Sequence, residues 1–452
     1  RIAGQVFGEK RRASFLRCKP GNEARADSGC ARKTLAPIAR YVLRRPPSKE
    51  DLARYVALAD AAAEKSGSFY KGLELSLAAM LISPQFLYIV DFDEADPVNP
   101  GARRLDAYSR AARLSFFLWN TTPNEALLGA AARGELDDPA SFAKVAETMV
   151  ASPRFEKGVR AFFSDMLLFE KFDEIAKDPV IYPRFSPAVA AALPEQMLRL
   201  IADELVVRDG DYRTLFTTRR TFITRALGTI YEAPVRSAYG WEPYEIAAMD
   251  DRAGLVGQAG FLALYSHSGR SSPTLRGRAV REVLLCQPVP NPPGNVNFTA
   301  VQDVHNRTFP TARDRLKAHA TDPACSGCHN ITDPIGLALE RFDGAGVRRE
   351  RENGAVIDVR APFGEGEIIG AAGLGQALAD DPALPECVAH RVFEYATGLS
   401  YDEAGERAAK TAETFVRDGR RIRALFLHVA TTPDVYRVAA STASTSTPGA
   451  GR

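Results

Sequence analysis

DPACSGCHNITDPIGLALERFD, residues 322–343, is the stretch from which the rest of the chain is read. Within it Cys325, Ser326, Gly327, Cys328 and His329 form C-x-x-C-H, the attachment pattern of a c-type haem. The chemistry dictates this order. Two thiols add across the two vinyl groups of one porphyrin, and a two-residue gap lets both reach it from one helical turn. The histidine that follows lies under the iron as proximal ligand. Ser326 and Gly327 are small, so no side chain between the cysteines crowds the ring. The cofactor implied is haem c, attached through Cys325 and Cys328 with His329 on the iron. A redox dithiol, a local disulfide or part of a zinc site would use the same residues. No second C-x-x-C or H-x-x-x-H supplies further zinc ligands, and no thioredoxin-like βαβ pattern surrounds the pair.

The surroundings are those of an ordinary globular chain. Its 452 residues are 45% hydrophobic and 25% charged, with length for about three or four modules. A net charge of +2, with basic residues spread along the chain, argues against nucleic acid as a partner. The short runs Lys10–Arg12 and Arg44-Arg45 read as solvated surface. No apolar run approaches the ~20 residues of a bilayer span, so no transmembrane segment is expected. The chain opens on Arg1 without an initiator methionine and reads as a fragment or processed form.

Six cysteines are present, and four lie outside the motif: Cys18, Cys30, Cys286 and Cys387. An even remainder permits two disulfides. A local bridge could close CKPGNEARADSGC through Cys18 and Cys30, and Cys286 and Cys387 would then pair across the motif. Sequence does not fix that connectivity, and buried free thiols are the alternative. Haem attachment and disulfides both point to an oxidising compartment, periplasmic or extracellular.

Periodicity makes the chain mainly α: several consecutive helical modules, one bearing the haem-attachment turn, with a short β-hairpin after it. Residues 1–30 read as a loop segment with a possible disulfide. Residues 31–92 form a helical module, with Ser48 as an N-cap and Leu73, Leu77, Met80 and Leu81 on one stripe. Residues 103–232 form a second, with Phe155, Phe162, Phe163 and Phe169 as core. A polar connection, 233–252, leads to the haem-attachment module, 253–352, with its Pro-rich arm from Pro288 to Pro293. Asn353-Gly354 signals a type I′ hairpin turn. Residues 365–438 are a C-terminal helical module, in which Leu384–Thr397 closes with Gly398. Residues 439–452 are too poor in apolar residues to pack and read as a disordered tail.

These segments together resemble the planctomycete-type family of secreted cytochrome-like multi-module proteins, built from several consecutive domains of unknown function. CARKTLAPIARYVLRRP with LISPQFLY resembles its first module, and RLSFFLWNTTPNEALL its second. GFLALYSHSGRSSPTLRGRAVREVLLCQPVPNPPGNVNF with the C-x-x-C-H stretch resembles the third, and ECVAHRVFEYATGLSY the C-terminal one. The resemblance implies a haem-associated, exported protein and brings no reaction with it. Members often carry a further cytochrome-like segment upstream.

The distal ligand decides between electron carrier and reactive site. All five methionines precede residue 250, so the local candidates are His267, His305, His319, His390 and His428. His267, in the SHSGRSSPTLRG loop, is a candidate second metal ligand, with Arg270 and Arg276 to pair with the haem propionates; the alternatives are a loop histidine hydrogen-bonded to backbone and an acid/base role. His390 falls about 200° from Val388 on its helix and reads as surface unless another module covers that face. Asp333 reads as an N-cap with Pro334 opening a new helix, the alternative being that Asp333 or a backbone carbonyl orients His329 through Nδ1–H. Glu340, Arg341 and Asp343 read as a solvated helix end, Arg341 within reach of a propionate. The function expected is electron transfer or redox activity through one covalent haem, with a redox protein or upstream cytochrome domain as partner. The alternatives are a peroxidase-like or oxidative haem enzyme, and a non-catalytic binding or structural module with zinc or a disulfide at the motif. Catalytic residues are not named by any pattern: no P-loop, Rossmann glycine fingerprint, H-E-x-x-H or Ser/His/Asp order is present.

Overall fold

Helices make up most of the computed structural model, which describes residues 1–291, 307–319 and 323–438, the side chains of 318, 319, 323–325 and 401 excepted. The strands form small antiparallel sheets. Part of the Pro-rich arm (Pro292, Pro293), His305, the side chain of His319 and the tail 439–452 lie outside the described residues. The chain divides into two compact units: Arg1–Phe155 with the chain from Ala430, and Glu156–Val429.

The first unit is organised by helices Ser28–Val42, Lys49–Ser66 and Phe69–Leu81. Each begins on a side chain that accepts a backbone N–H: Asp27 from Cys30, Ser48 from Asp51 and Ser68 from Lys71. These bonds satisfy donors that a helix N-terminus otherwise leaves open. Leu35, Leu73, Leu77 and Met80 are buried between the helices, each contributing about 1.5–3 kcal/mol. Residues 1–30 are not only loop. Helices Ile2–Phe7 and Arg12–Phe15 precede the Cys18–Cys30 disulfide, and Phe7 enters the same core. Arg44 departs from the surface reading: it is buried and donates to the carbonyls of Gln85, Phe86 and Tyr88, because a chain turning there leaves three acceptors facing inward.

The second unit carries the motif. Its helix Pro323–Leu337 runs unbroken through Pro334, so Asp333 is not an N-cap. Proline's fixed φ suits a helix. Its cost is the lost backbone bond to residue 330, about 3 kcal/mol, offset here by close packing. Helix Pro273–Ala279 crosses this motif helix at glycines. A methyl group on Gly277 would run into the Thr332 carbonyl, and one on Gly336 into the Pro273 carbonyl.

The Asn353-Gly354 hairpin forms as expected: Arg351–Glu352 pairs with Ala355–Val356, and both turn residues have positive φ, 49° and 84°. A second hairpin, Arg360–Phe363 with Gly366–Ile369, follows it. The 233–252 connection also holds a strand, Glu242–Glu245, paired with Arg220–Ile223. The Cys286–Cys387 disulfide ties the motif region to helix Ala383–Thr397, which ends at Gly398 with φ 72°. His390 on that helix is buried rather than on the surface. The helix packs against both Tyr401–Arg417 and Val280–Leu284, and spacing within one helix cannot report a second neighbour.

Replacing Gly277 by alanine is expected to destabilise the second unit by about 1–3 kcal/mol or more, because backbone rather than a movable side chain opposes the methyl group. Chemical denaturation of Gly277→Ala, with Gly327→Ala as control, measures this. Among the described residues nothing lies within 4 Å of a methyl group at the control position.

Candidate haem-attachment site

The motif occupies the first two turns of helix Pro323–Leu337. Cys328 and His329 are half-buried on it, and Gly327 is exposed. His329 and Asp333 are four residues apart, so they share one face. Their side chains meet at 2.8 Å between Nδ1 and Oδ2. A carboxylate only accepts, so the proton sits on Nδ1 and Nε2 is the nitrogen that would meet a metal. Asp333 is itself buried, and Thr274 Oγ1 donates to its other oxygen at 2.7 Å. Thr332 Oγ1 donates to the Cys328 carbonyl at 3.0 Å, which holds the turn of the second cysteine. The two disulfides use the other four cysteines, so Cys325 and Cys328 belong to neither. Among the described residues nothing stands within 4 Å of a methyl group placed on Gly327. Two cysteine positions one helical turn apart and an imidazole with Nδ1 engaged fit the donor set of a c-type haem. Among the described residues no group of three or more His, Cys, Asp and Glu side chains stands together to hold a metal ion, and the side chain of Cys325 is not one of these.

Arg276 holds another place. It is fully buried, and its two terminal nitrogens donate to the carbonyls of Leu339 (3.0 Å), Phe342 (2.8 Å), Asp343 (2.6 Å) and Leu262 (3.2 Å) and to Ser266 Oγ (3.1 Å). Its charge meets Glu340 at 3.2 Å, which also pairs with Arg349 at 2.8 Å. Burial pushes the guanidinium down to about 10, and Glu340 opposes that. With these donors turned inward, a propionate contact by Arg276 has no support in this arrangement. Glu340 is buried, not solvated, because two arginines need its charge, and Arg341 pairs with Asp251 at 3.5 Å. Arg252 completes the fastening. It is fully buried between the Tyr231 and Phe342 rings and donates to the Gly346 carbonyl at 2.7 Å.

His267 belongs to the opposite end of the motif helix. Its loop lies beside residues 340–344: the Arg270 carbonyl adjoins Gly344, and Lys177 Nζ donates to the carbonyls of Ala263, Ser266 and His267 at 2.8–3.1 Å. No described contact joins His267 to His329. Lys177 is pushed down to about 7, chiefly by burial and then by Arg276, with Asp343 opposing the shift. Sequence reasoning passed over Lys177 and Arg252 and read Glu340 as solvated. Nothing in their local pattern separates a buried charge from a surface one. A cleft of about 440 Å³, with Asn330, Ile331, Pro334, Ile335 and Phe363 in its walls, lies on the flank of the motif helix away from His329.

Three comparisons with protein families match this chain. Residues 30–91 match PSD5, a protein of unknown function (DUF1595), and residues 105–233 match PSD4, a protein of unknown function (DUF1592). Residues 252–352 match PSCyt3, a protein of unknown function (DUF1588). The chain carries the domain series of the planctomycete-type multi-module family. The PSCyt3 domain of this family member holds the motif helix, Asp333, Arg276, Arg252 and Glu340 together. The PSD4 match spans the boundary between the two compact units. No curated protein and no solved structure matches the chain.

His267 is exposed overall, yet its ring is pushed down to about 4, first by partial burial and then by Arg270 and Lys177. The unfolded chain therefore binds the extra proton at higher pH than the folded one. Stability falls as pH drops from about 6.5 towards 4 and loses nothing further below that. An NMR titration is expected to place the His267 midpoint well under that of an ordinary histidine, and Arg270→Gln to raise it. A midpoint unmoved by that substitution would rule out the coupling.

Proposed function

We propose that this chain is an exported c-type haem protein whose task is electron transfer or a related redox activity through one covalently attached haem. The observation that carries this reading is the His329–Asp333 bond at 2.8 Å, on the helix whose sequence also contains both cysteines. It fixes the imidazole tautomer and leaves Nε2 as the nitrogen without a proton, as an axial ligand requires. When bound, the haem would supply one-electron chemistry. The chain's own part is to hold and orient it. Cys325 and Cys328 would anchor the porphyrin, His329 would ligate the iron, and Thr332 would keep the Cys328 turn in place. The name of the matching third domain, PSCyt3, is consistent with this reading.

Export is supported by the two disulfides, which persist in oxidising compartments. Among the described residues no helix is long and apolar enough to cross a membrane. The partner in this reading is a redox protein or an upstream cytochrome domain.

Protein matured with the cytochrome c assembly machinery is expected to keep its red colour after denaturation and extraction with acidified organic solvent. Its pyridine haemochrome should report two thioether links. Cys325→Ala and Cys328→Ala should each leave one link and shift the haemochrome band to longer wavelength, and the double variant should release all colour. Protein that binds zinc at the motif and never holds covalent haem would overturn the reading.

A further inference from the structure

We infer that Asp333, braced by Thr274 from the neighbouring helix, is a positioning residue that sets the redox potential of the iron at His329 and holds it low. The inference rests on the haem reading above and adds a direction to it: the site favours the oxidised iron, so its partner class is a low-potential electron donor.

The argument begins with charge. Asp333 is buried, and its only ion-pair contact among the described residues is His329 at 2.8 Å. No lysine or arginine there neutralises it. Its second oxygen is held by a neutral donor, Thr274 Oγ1, at 2.7 Å, with Thr332 Oγ1 at 3.3 Å. A buried carboxylate without a countercation exerts its full charge on the group it touches, because little water screens it. Drawing on Nδ1–H raises the electron density of the ring, making His329 a stronger donor through Nε2. A stronger donor, with the negative charge of Asp333 behind it, stabilises the more highly charged ferric ion over the ferrous one, and the potential falls. In the one-electron couple, Fe(III) plus one electron gives Fe(II). The electron comes from the partner and no proton moves.

Thr274 makes this a property of the fold rather than of the motif. It projects from helix Pro273–Ala279, whose register on the motif helix is set by the close crossing at Gly277 and Gly336. A carboxylate free to rotate would lose its aim at Nδ1. Thr274 limits that rotation by holding the far oxygen.

The test is potentiometric titration of the full chain, matured with haem, as wild type, Asp333→Asn and Thr274→Val. Outer-sphere partners of metal-bound histidines typically change affinity 10–100-fold. A tenfold loss of ferric preference corresponds to a rise of about 59 mV for one electron. Asp333→Asn is expected to raise the potential by at least that tenfold equivalent, and Thr274→Val by less, with unchanged haemochrome spectra. Should Asp333→Asn fail to mature, Thr274→Val alone decides, since it leaves the motif and the carboxylate in place. Covalent haem with a Thr274→Val potential equal to wild type would overturn the inference and leave the haem reading standing. Absence of covalent haem from the wild type would instead sink the haem reading, and this inference with it.

Discussion

The second unit depends on a backbone-to-backbone approach between two helices. At Gly277 and Gly336 there is no room for a methyl group, because carbonyl oxygens of the opposite helix occupy the space. That closeness brings Thr274 within a hydrogen bond of Asp333, and through Asp333 it reaches His329. Any larger residue at the crossing would move the helices apart and break the chain of contacts from its far end.

The crossing is locked by charge. Arg276, one residue before Gly277, gathers carbonyls from beyond the end of the motif helix and one from helix Ala259–Leu264. Carbonyls at helix ends lack intrahelical partners, and a guanidinium can serve several at once. Arg252 does the same for Gly346 while lying between two aromatic rings. Glu340 is buried between Arg276 and Arg349, so removing it would leave the fully buried Arg276 without its countercharge, a loss of about 3–5 kcal/mol in comparable cases. The motif helix is therefore fastened at its C-terminal end, while Cys328 and His329 nearer its start are half-buried.

Sequence-defined domains and spatial units do not coincide along this chain. The PSD4 domain runs from 105 to 233, while the compact units divide at Phe155, within helix Phe155–Met166. A helix propagates through hydrogen bonds between near neighbours, so it can run on while the contacts around it change from one cluster to another.

Local chemistry in the sequence determined the motif, the mainly helical class, the Ser48 cap and the Asn353-Gly354 turn. Each rests on residues within a few positions of one another, where spacing and φ preference act directly. It also permitted the two disulfides without choosing their partners. Tertiary structure alone chose them, along with the role of Asp333, the inward turn of Arg276 and Glu340 and the burial of Arg44 and His390. Asp333 shows why. As a cap it would satisfy the backbone next to it, but packing against Thr274 keeps the helix continuous and gives its carboxylate to His329. Whether a charged side chain faces water or a buried carbonyl depends on which distant segment lies over it, and no local spacing encodes that.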